Sequence, residues 1–360
     1  MKRLIRLLCV VAALLVAVHV NADSSDAIIR LLNSQASGSV RAFTQAAEEV
    51  AVEARKGRSV YAYVLAVISR TPSPPPAARL DEATRKRWLD GCRAKIEKLA
   101  HEKNNSMAWY LLSLEKDDLD LLRRAAEAGN VQAMNGWGNY LVTRAVSETS
   151  NRGEVNRMLG VAFDYFKNAA DQGDANGIYN VGMCYQHGLG IPKDDKKAFD
   201  CFCRAAEKEH PAAINNIGRF FREGRVVPKD LEMSAQWFEK SASYDNAYGL
   251  LNFALALQKG EGVAQDEARA VRLLAKAADG GCVEAIDAYG VALWKGRGVK
   301  KDPEAAVRLF LRAAEADYPP AMENLSTCYR YGTGVKADER ESLEWKRRAS
   351  AARGRMGGLR

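Results

Sequence analysis

Histidine is scarce in this sequence, with four residues among 360. His101, His187 and His210 lie far apart along the chain, and none has a second histidine four residues away. Zinc proteases and structural zinc sites need ligands at such short spacing. The sequence therefore predicts no metal site, and it gives no sign of another cofactor.

The signatures of common enzyme classes are missing as well. No G-x-S-x-G segment is present, and the G-x-G segments lack both the Gly-Lys-Ser/Thr ending and the preceding strand of a phosphate-binding loop. A catalytic triad would have to be assembled from residues that lie far apart along the chain. These absences predict a protein that is not an enzyme.

Neither sign of charge dominates, since 53 Lys and Arg stand against 45 Asp and Glu for a net charge of +8. The basic residues form no stripe interleaved with aromatic side chains, so the sequence predicts no nucleic-acid partner. Residues 355–360 form a short basic tail, which we expect to be solvated.

The first 22 residues have the pattern of a cleavable secretion signal. Three basic residues precede an apolar run over residues 7–18, and Val20-Asn21-Ala22 provides the cleavage site. The apolar run of about a dozen residues is shorter than the roughly 20 that span a bilayer, although a retained anchor is the alternative. We expect cleavage of residues 1–22 and a secreted or periplasmic protein without stable membrane insertion.

A spacing of 36 residues recurs through the second half of the chain. Glycines keep this step at positions 188, 224, 260, 296 and 332, and aspartates keep it at 194, 230, 266, 302 and 338. A non-repetitive domain has no reason to hold one spacing five times, so the period predicts structural repeats. The five regular repeats within 175–354 are 175–210, 211–246, 247–282, 283–318 and 319–354.

Each repeat has the pattern of two helices joined by a turn. In repeat 283–318, apolar residues fall at helical spacing on both sides of a Lys-Gly-Arg-Gly-Val segment. Gly296 is predicted to end the first helix in a left-handed conformation, which glycine adopts at little cost. Asp302 is predicted to cap the second helix, with Pro303 at its first position. The pattern predicts an all-α fold.

Three features of these repeats are specific: the segment Asn216-Ile217-Gly218, the G-x-G-V turns, and second helices of the form A-x-x-W/L-F-x-x-A-A. Together they resemble the Sel1-like repeat, a relative of the tetratricopeptide repeat, over residues 175–354. The resemblance implies an α/α solenoid with a right-handed superhelical twist. It also implies a scaffold that binds other proteins.

The chain before residue 175 is less regular. Residues 106–174 are expected to form two irregular repeats, the second with extra residues that enlarge its inter-helix turn. Residues 23–105 are expected to form a helical N-terminal region. Within it, the proline-rich segment 71–76 is predicted to be a hinge, because successive prolines remove backbone donors and force extended geometry.

Six cysteines follow the predicted signal, an even number for an oxidising compartment. A cysteine-rich branch of the Sel1-like family forms a disulfide within each repeat at fixed positions, but here only Cys184 and Cys328 share a position. This departure argues against such a framework, and buried free thiols are favoured. The best candidate bridge joins Cys184 to Cys201, across the two helices of one repeat.

The concave side of such a solenoid is lined by the first helices, and a partner is expected there. Repeat 247–282 is apolar at Leu251 and Leu255 and follows a basic repeat. These leucines either form a peptide-binding patch rimmed by charge or pack against a neighbouring repeat, and the sequence leaves both open. The residues predicted to face a partner are Tyr179, Met183, Gln186, Asn215, Arg219, Arg222, Leu251, Leu255, Gln258, Asp287, Val291, Lys295, Glu323, Thr327 and Arg330.

The leading functional hypothesis is a monomeric, non-enzymatic scaffold or adaptor that binds a protein or peptide in the periplasm or outside the cell. The first alternative is a secreted hydrolase or cell-wall-acting enzyme of the β-lactamase-like kind, suggested by the cysteine-rich branch. The second is an extracellular effector that binds a host protein. The third is an adaptor of the endoplasmic reticulum, which would need a retrieval signal that the last residues do not show.

Overall fold

The computed structural model describes residues 80–103, 105–147 and 151–357 of the protein. These ranges contain fifteen α-helices and no strand, which confirms the predicted all-α class. The predicted signal, the hinge at 71–76 and most of the N-terminal region lie outside the described residues. The predicted tail is helical as far as Gly357, because the last helix continues to that residue.

The helices are numbered along the chain, and the regular repeats begin with α6. Their bounds are α1 Glu82–Lys103, α2 Ser106–Lys116, α3 Leu119–Glu127, α4 Val131–Ser147, α5 Arg152–Asp171, α6 Ala175–His187, α7 Asp195–Glu207, α8 Pro211–Glu223, α9 Leu231–Ser243, α10 Ala247–Lys259, α11 Glu267–Asp279, α12 Val283–Lys295, α13 Pro303–Glu315, α14 Pro319–Tyr331 and α15 Glu339–Gly357.

The chain divides into two compact units, an N-terminal unit up to Ala213 and a C-terminal unit from Ile214. Within each unit, successive helices pack against one another as helix-turn-helix pairs, for example α12 against α13 and α14 against α15. First helices of neighbouring repeats also touch, as α4 and α6 do in the N-terminal unit and α10 and α12 in the C-terminal unit. This is the layered packing of an α/α solenoid.

In four of the five regular repeats, the turn between the two helices is built on two glycines, while repeat 211–246 has Gly224 followed by Val226, which also has a positive φ of 66°. Gly296 ends α12 with φ 72°, and its N–H donates to the carbonyl oxygen of Ala292 at 2.8 Å, so the predicted left-handed helix end is confirmed. The second glycine, Gly298, also has a positive φ of 67°. A Cβ there would clash with the backbone of Glu267 in the preceding repeat, so the turn needs glycine for close approach as well.

The second helices begin at the predicted aspartate caps. Asp302 Oδ1 accepts the N–H of Ala305 at 2.8 Å, and Pro303 occupies the first turn of α13. The equivalent bond recurs in the neighbouring repeats, for example from the N–H of Arg269 to Asp266 Oδ1 at 2.8 Å. Each such cap stabilises its helix by about 1 kcal/mol. The predicted helix starts are therefore confirmed.

The long repeat that starts at Val131 differs from the expectation. Its helices α4 and α5 have 17 and 20 residues, whereas the helices of the regular repeats before α15 have 13. The extra residues therefore lengthen the helices rather than only the turn. Arg144 stands where the regular repeats have the first turn glycine, so α4 has no left-handed residue at which to end.

In the four regular repeats before the last one, the core depends on a small residue in the first helix facing a large one in the second. A Cβ at Gly290 would lie only 2.7 Å from Cε1 of Phe310, and Phe310 is fully buried. In repeat 247–282 the same two positions hold Ala254 and Leu274, which are also fully buried. Compared with Gly290 and Phe310, Ala254 is larger by one methyl group and Leu274 is smaller than phenylalanine. The two differences compensate, so the core of the repeat stays filled.

Candidate functional site

The fifth and sixth residues of successive first helices are hydrogen-bonded to one another. In the C-terminal unit, the Asn252 amide donates to Asn215 Oδ1 at 2.8 Å, and the Asn324 amide donates to Asp287 Oδ1 at 2.8 Å. In the N-terminal unit, Asn180 donates to an equivalent residue one repeat earlier at 3.1 Å. Asn215 and Asp287 were predicted to face a partner. In the structure they connect neighbouring repeats.

Leu251 occupies the fifth position of the middle regular repeat. Its side chain is buried, with 7% exposed, and it belongs to a core cluster against which Ala288 of the next repeat also packs. Of the two interpretations that the sequence left open, the structure supports packing for Leu251. Leu255 remains partly exposed and contacts the same cluster from its edge.

The three residues of the N-terminal unit that were predicted to face a partner are mostly packed against other residues of that unit. Tyr179 stacks on His210, with ring centroids 4.6 Å apart and an interplanar angle of 18°. Gln186 is buried, with 6% exposed, and Met183 is partly buried. This unit therefore offers little of the predicted surface.

His210 is a structural residue. Its Nδ1 accepts the N–H of Ala213 at 3.2 Å, which caps α8, while Nε2 lies 3.2 Å from Asn176 Oδ1. Burial lowers the pKa of His210 to about 4, so the ring is neutral at physiological pH. A neutral ring is required here, because the protonated ring would have no acceptor for the Ala213 N–H.

In the C-terminal unit, the candidate residues at the ninth and twelfth positions of the first helices are partly or fully exposed. Lys295, which was predicted to face a partner, is the thirteenth residue of its repeat and so does not share a position with the other candidates. The twelfth is Trp294, whose ring packs edge-on against Phe310 with centroids 6.4 Å apart. We define the first-helix face as the partly or fully exposed residues Arg219, Arg222, Leu255, Gln258, Val291, Thr327 and Arg330.

Two residues of the first-helix face, Arg222 and Leu255, line one cavity. Its volume is about 300 Å³, and it lies among α8, α9 and α10, between two neighbouring repeats. The walls are mixed, with apolar side chains and three cationic groups. The lining residues are Arg222, Lys229, Leu231, Ser234, Phe238, Asn252, Leu255, Ala256, Lys259 and Glu261.

Arg222 is the most constrained charged residue in this cavity. Its Nη1 donates to Asn252 Oδ1 at 3.1 Å, and its guanidinium carbon lies 5.3 Å from the ring centroid of Phe238. Burial lowers the pKa of Arg222, although the nearby carboxylates of Glu223 and Glu261 oppose this shift. The guanidinium is therefore a partly dehydrated cation that stays charged.

Comparison with known proteins identifies the repeats. Six segments match the family model of the Sel1 repeat: residues 155–174, 175–210, 211–243, 247–282, 283–318 and 319–353. The chain belongs to the Sel1 repeat family. The resemblance inferred from the sequence is thereby confirmed. Sel1 repeats are protein-interaction scaffolds, and the family is generally non-enzymatic.

Solved structures of similar fold include a Sel1 repeat protein from Oxalobacter formigenes. It is 25% identical, covers 68% of this chain and 96% of its own, and has a TM-score of 0.56. A protective antigen of uropathogenic Escherichia coli strains with an SLR fold is 22% identical over 86% of this chain and 82% of its own, with a TM-score of 0.37. The immunity protein Pa5087 from Pseudomonas aeruginosa is 17% identical over 61% of this chain and 81% of its own, with a TM-score of 0.44. The last two scores are too low to support a conclusion about this chain.

Similarity to curated proteins is confined to a segment of one repeat in length. Two of them, DAP3-binding cell death enhancer 1 from Rattus norvegicus and from Mus musculus, are 54% identical over 37 residues. The match covers 10% of this chain and 7% of those proteins. The match supports the assignment of a Sel1 repeat. It gives no basis for assigning the activity of the longer relatives to this chain.

The cysteines of this Sel1-repeat protein are free thiols wherever the structure describes their side chains. The candidate bridge between Cys184 and Cys201 is thus not formed in the structure. Burial raises the pKa of Cys184 to about 12, and that of Cys282 and of Cys328 to about 11. Such thiols stay protonated near neutral pH and are poor nucleophiles.

Among the described residues, no group of three or more His, Cys, Asp or Glu side chains could hold a metal ion. None of the described helices has the length and apolar character needed to cross a membrane.

The sequence prediction missed the residues at the sixth position, although a signal was present. Asparagine occupies it in four of the five regular repeats, as Asn180, Asn216, Asn252 and Asn324. A polar residue that recurs at the period of a solenoid is suited to hydrogen bonds between repeats. The cavity residues on α9 could not be found in this way. They lie on a second helix, and the spacing along the first helices does not show which residues of another helix pack beside them.

Proposed function

We propose that this chain is an exported, non-enzymatic scaffold that binds a polypeptide partner along the first-helix face of its C-terminal unit. Membership of the Sel1 family supports protein binding. The first-helix face supports the location, because its residues differ in charge and size from repeat to repeat while the fifth and sixth positions connect the repeats. That division of roles is the observation on which the proposal rests.

The geometry of the face fits an extended or helical segment rather than a small molecule. Packed neighbouring helices lie about 8–10 Å apart, so a ligand that crosses several repeats must extend over a few tens of ångströms. An extended peptide of about ten residues has that length. Arg219 and Arg222 begin the face, Leu255 and Val291 follow, and Arg330 ends it. Such a segment would meet charge at its ends and apolar contact in the middle.

Capture of the partner tests the location of the site. Residues 23–360 are immobilised and exposed to the envelope fraction and culture medium of the source cells, and bound proteins are identified by mass spectrometry. The variant Arg219→Glu with Arg330→Glu reverses two charges of the first-helix face. The matched control, Arg272→Glu with Arg308→Glu, reverses two exposed charges on second helices of the same unit.

We expect one partner to be captured by the parent and by the control and to be lost with the first-helix variant. Equal capture by all three proteins would contradict the proposed location. Export is tested separately, by fractionation of the cells and sequencing of the N-terminus of the recovered protein. A start at Asp23 would support cleavage of the signal, and a cytoplasmic chain that retains Met1 would contradict export.

A further inference from the structure

We propose that the cavity among α8, α9 and α10 receives an acidic side chain of the polypeptide partner, and that its carboxylate binds the guanidinium of Arg222. This inference rests on the proposed function and specifies the chemistry of the partner. It makes Arg222 the residue of the first-helix face on which partner specificity depends.

The first support is the incomplete pairing of Arg222. A guanidinium has five N–H donors, and one of them is used, by Asn252 Oδ1. Among the described residues, Arg222 forms no ion pair. The adjacent Glu223 is paired elsewhere, with Arg219 at 3.6 Å and with Arg225 at 2.7 Å. A partly buried cation that the nearby carboxylates of Glu223 and Glu261 do not contact directly gains from a carboxylate that binds it and replaces its lost water.

The second support is the charge around the cavity. Lys229 and Lys259 stand exposed at its rim, while Glu261 is the one acidic residue in the lining. Glu261 is paired with Lys259 at 3.5 Å, and among the described residues neither Arg222 nor Lys229 forms a direct ion pair with it. An anionic group would therefore be attracted, whereas a cationic one would be repelled.

The third support is the shape and character of the walls. Leu231, Phe238, Leu255 and Ala256 supply apolar surface beside the guanidinium. The methylene groups of a glutamate can pack on this surface while its carboxylate accepts two N–H bonds from the planar guanidinium. A volume of about 300 Å³ accommodates one such side chain. The single cavity does not resemble a nucleic-acid site, where cations follow a phosphate backbone.

This combination is specific to repeat 211–246. The twelfth position holds glutamine in repeats 175–210 and 247–282 and tryptophan in repeat 283–318. Arginine returns as Arg330 in the last repeat, where the side chain is exposed and no described repeat supplies a counterpart of Asn252. The acidic residue is therefore expected at one fixed place in the bound segment.

Selection from a library of random linear peptides displayed on phage tests the inference. Residues 23–360 are used as bait, in parallel with Arg222→Gln and the control Arg272→Gln. We expect the parent and the control to select peptides that share a Glu or Asp at one position. With Arg222→Gln this preference should disappear while the apolar preferences of the same peptides remain. Thermal unfolding of each bait checks that it is folded.

A double-mutant cycle on one selected peptide measures the pair directly. Arg222→Gln in the protein and Glu→Gln in the peptide should each weaken binding at least about tenfold, and the two changes together should add little to either one. Arg222→Lys keeps the charge but not the planar fork, and should fall between the parent and Arg222→Gln. Additive losses in the cycle would overturn the pairing.

The outcomes also separate this inference from the proposed function. If the parent selects peptides that share no acidic position, or if Arg222→Gln keeps the acidic preference, the inference is overturned and polypeptide binding stands. If the parent selects no peptide at all, the proposed function is overturned and this inference fails with it.

Discussion

The last two regular repeats are both built as a pair of helices joined by a glycine turn, yet their second helices expose different residues. In α13, Val307 and Phe310 are 4% and 0% exposed. In α15, the equivalent residues are Leu343, which is 61% exposed, and Lys346, which is also exposed.

The difference comes from the presence of a following repeat. Val307 belongs to a core cluster with Met322 and Leu325 of α14, and the turn glycine Gly334 lies against the backbone of Pro303. No described repeat covers α15 in this way. In a solenoid, burial at these positions is therefore a property of two adjacent repeats and not of one.

The strongest test of this comparison exchanges the two residues. Phe310→Lys should lower the free energy of unfolding by about 4 kcal/mol or more, because it removes a fully buried ring and places an ammonium in the core. Lys346→Phe should change it by less than about 0.5 kcal/mol, since Lys346 is exposed. Urea unfolding followed by circular dichroism compares the two, and similar midpoints would refute the assignment of environments.

A second test uses the small residue that faces Phe310. Gly290→Ala should destabilise the protein by about 1–3 kcal/mol, because the new methyl group meets the ring. Adding Phe310→Leu should recover part of this loss, as it recreates the Ala254 and Leu274 pair of repeat 247–282. Gly354→Ala in α15 is the matched control, because open space surrounds that position. Thermal unfolding of the three variants decides whether the two positions are coupled.

The fold could be predicted from the sequence because its determinants are local. Gly296 adopts the predicted left-handed conformation, and Asp302 forms the predicted cap, since each acts within a few residues of its own position. The lengthened α4 was not predicted, although Arg144 at the position of the turn glycine gave the signal. Without a glycine at position 144, α4 has no residue that favours a left-handed helix end, and it continues to Ser147.

The candidate site was predictable only in part, because it depends on contacts between repeats. The helical period predicted Arg222 and Leu255 on one face of the first helices but could not predict the cavity that both of them line. It could not tell that Asn215 and Asp287 would be used to join repeats, since their partners lie 37 residues further along the chain. It also could not reveal Phe238, which reaches the cavity from the second helix of the repeat.

A third test concerns the first turn glycine of repeats 283–318 and 319–354, and asks whether its left-handed conformation stabilises both repeats to the same extent. Gly296 and Gly332 have φ angles of 72° and 66°. Valine at either position should cost on the order of 1 kcal/mol or more, because β-branched residues avoid positive φ. Arg297→Val, a change at an exposed turn side chain, should cost much less. Unfolding midpoints that are equal for Gly296→Val and Arg297→Val would show that the left-handed residue does not limit the stability of the turn.

The smallest effect on folding, and a distinct effect on association, is expected at α15, which no described repeat covers. Lys346, Arg347 and Arg348 are exposed on α15, and both arginines bind Glu344, at 2.9 Å through their Nε atoms. These charges keep water on a surface that in the preceding repeat is covered, and solenoids need such polar ends to stay soluble.

Replacing Lys346, Arg347 and Arg348 with Phe, Leu and Leu should leave the unfolding midpoint nearly unchanged, because exposed pairs of this kind contribute little to stability. The variant should nevertheless self-associate, since Leu343 and the three new apolar side chains would form one exposed patch. Light scattering at matched concentrations measures this, with Arg272→Leu and Arg308→Leu as the control on neighbouring second helices. A triple variant that scatters light as the parent does would mean that Lys346 is an ordinary surface residue and not a cap.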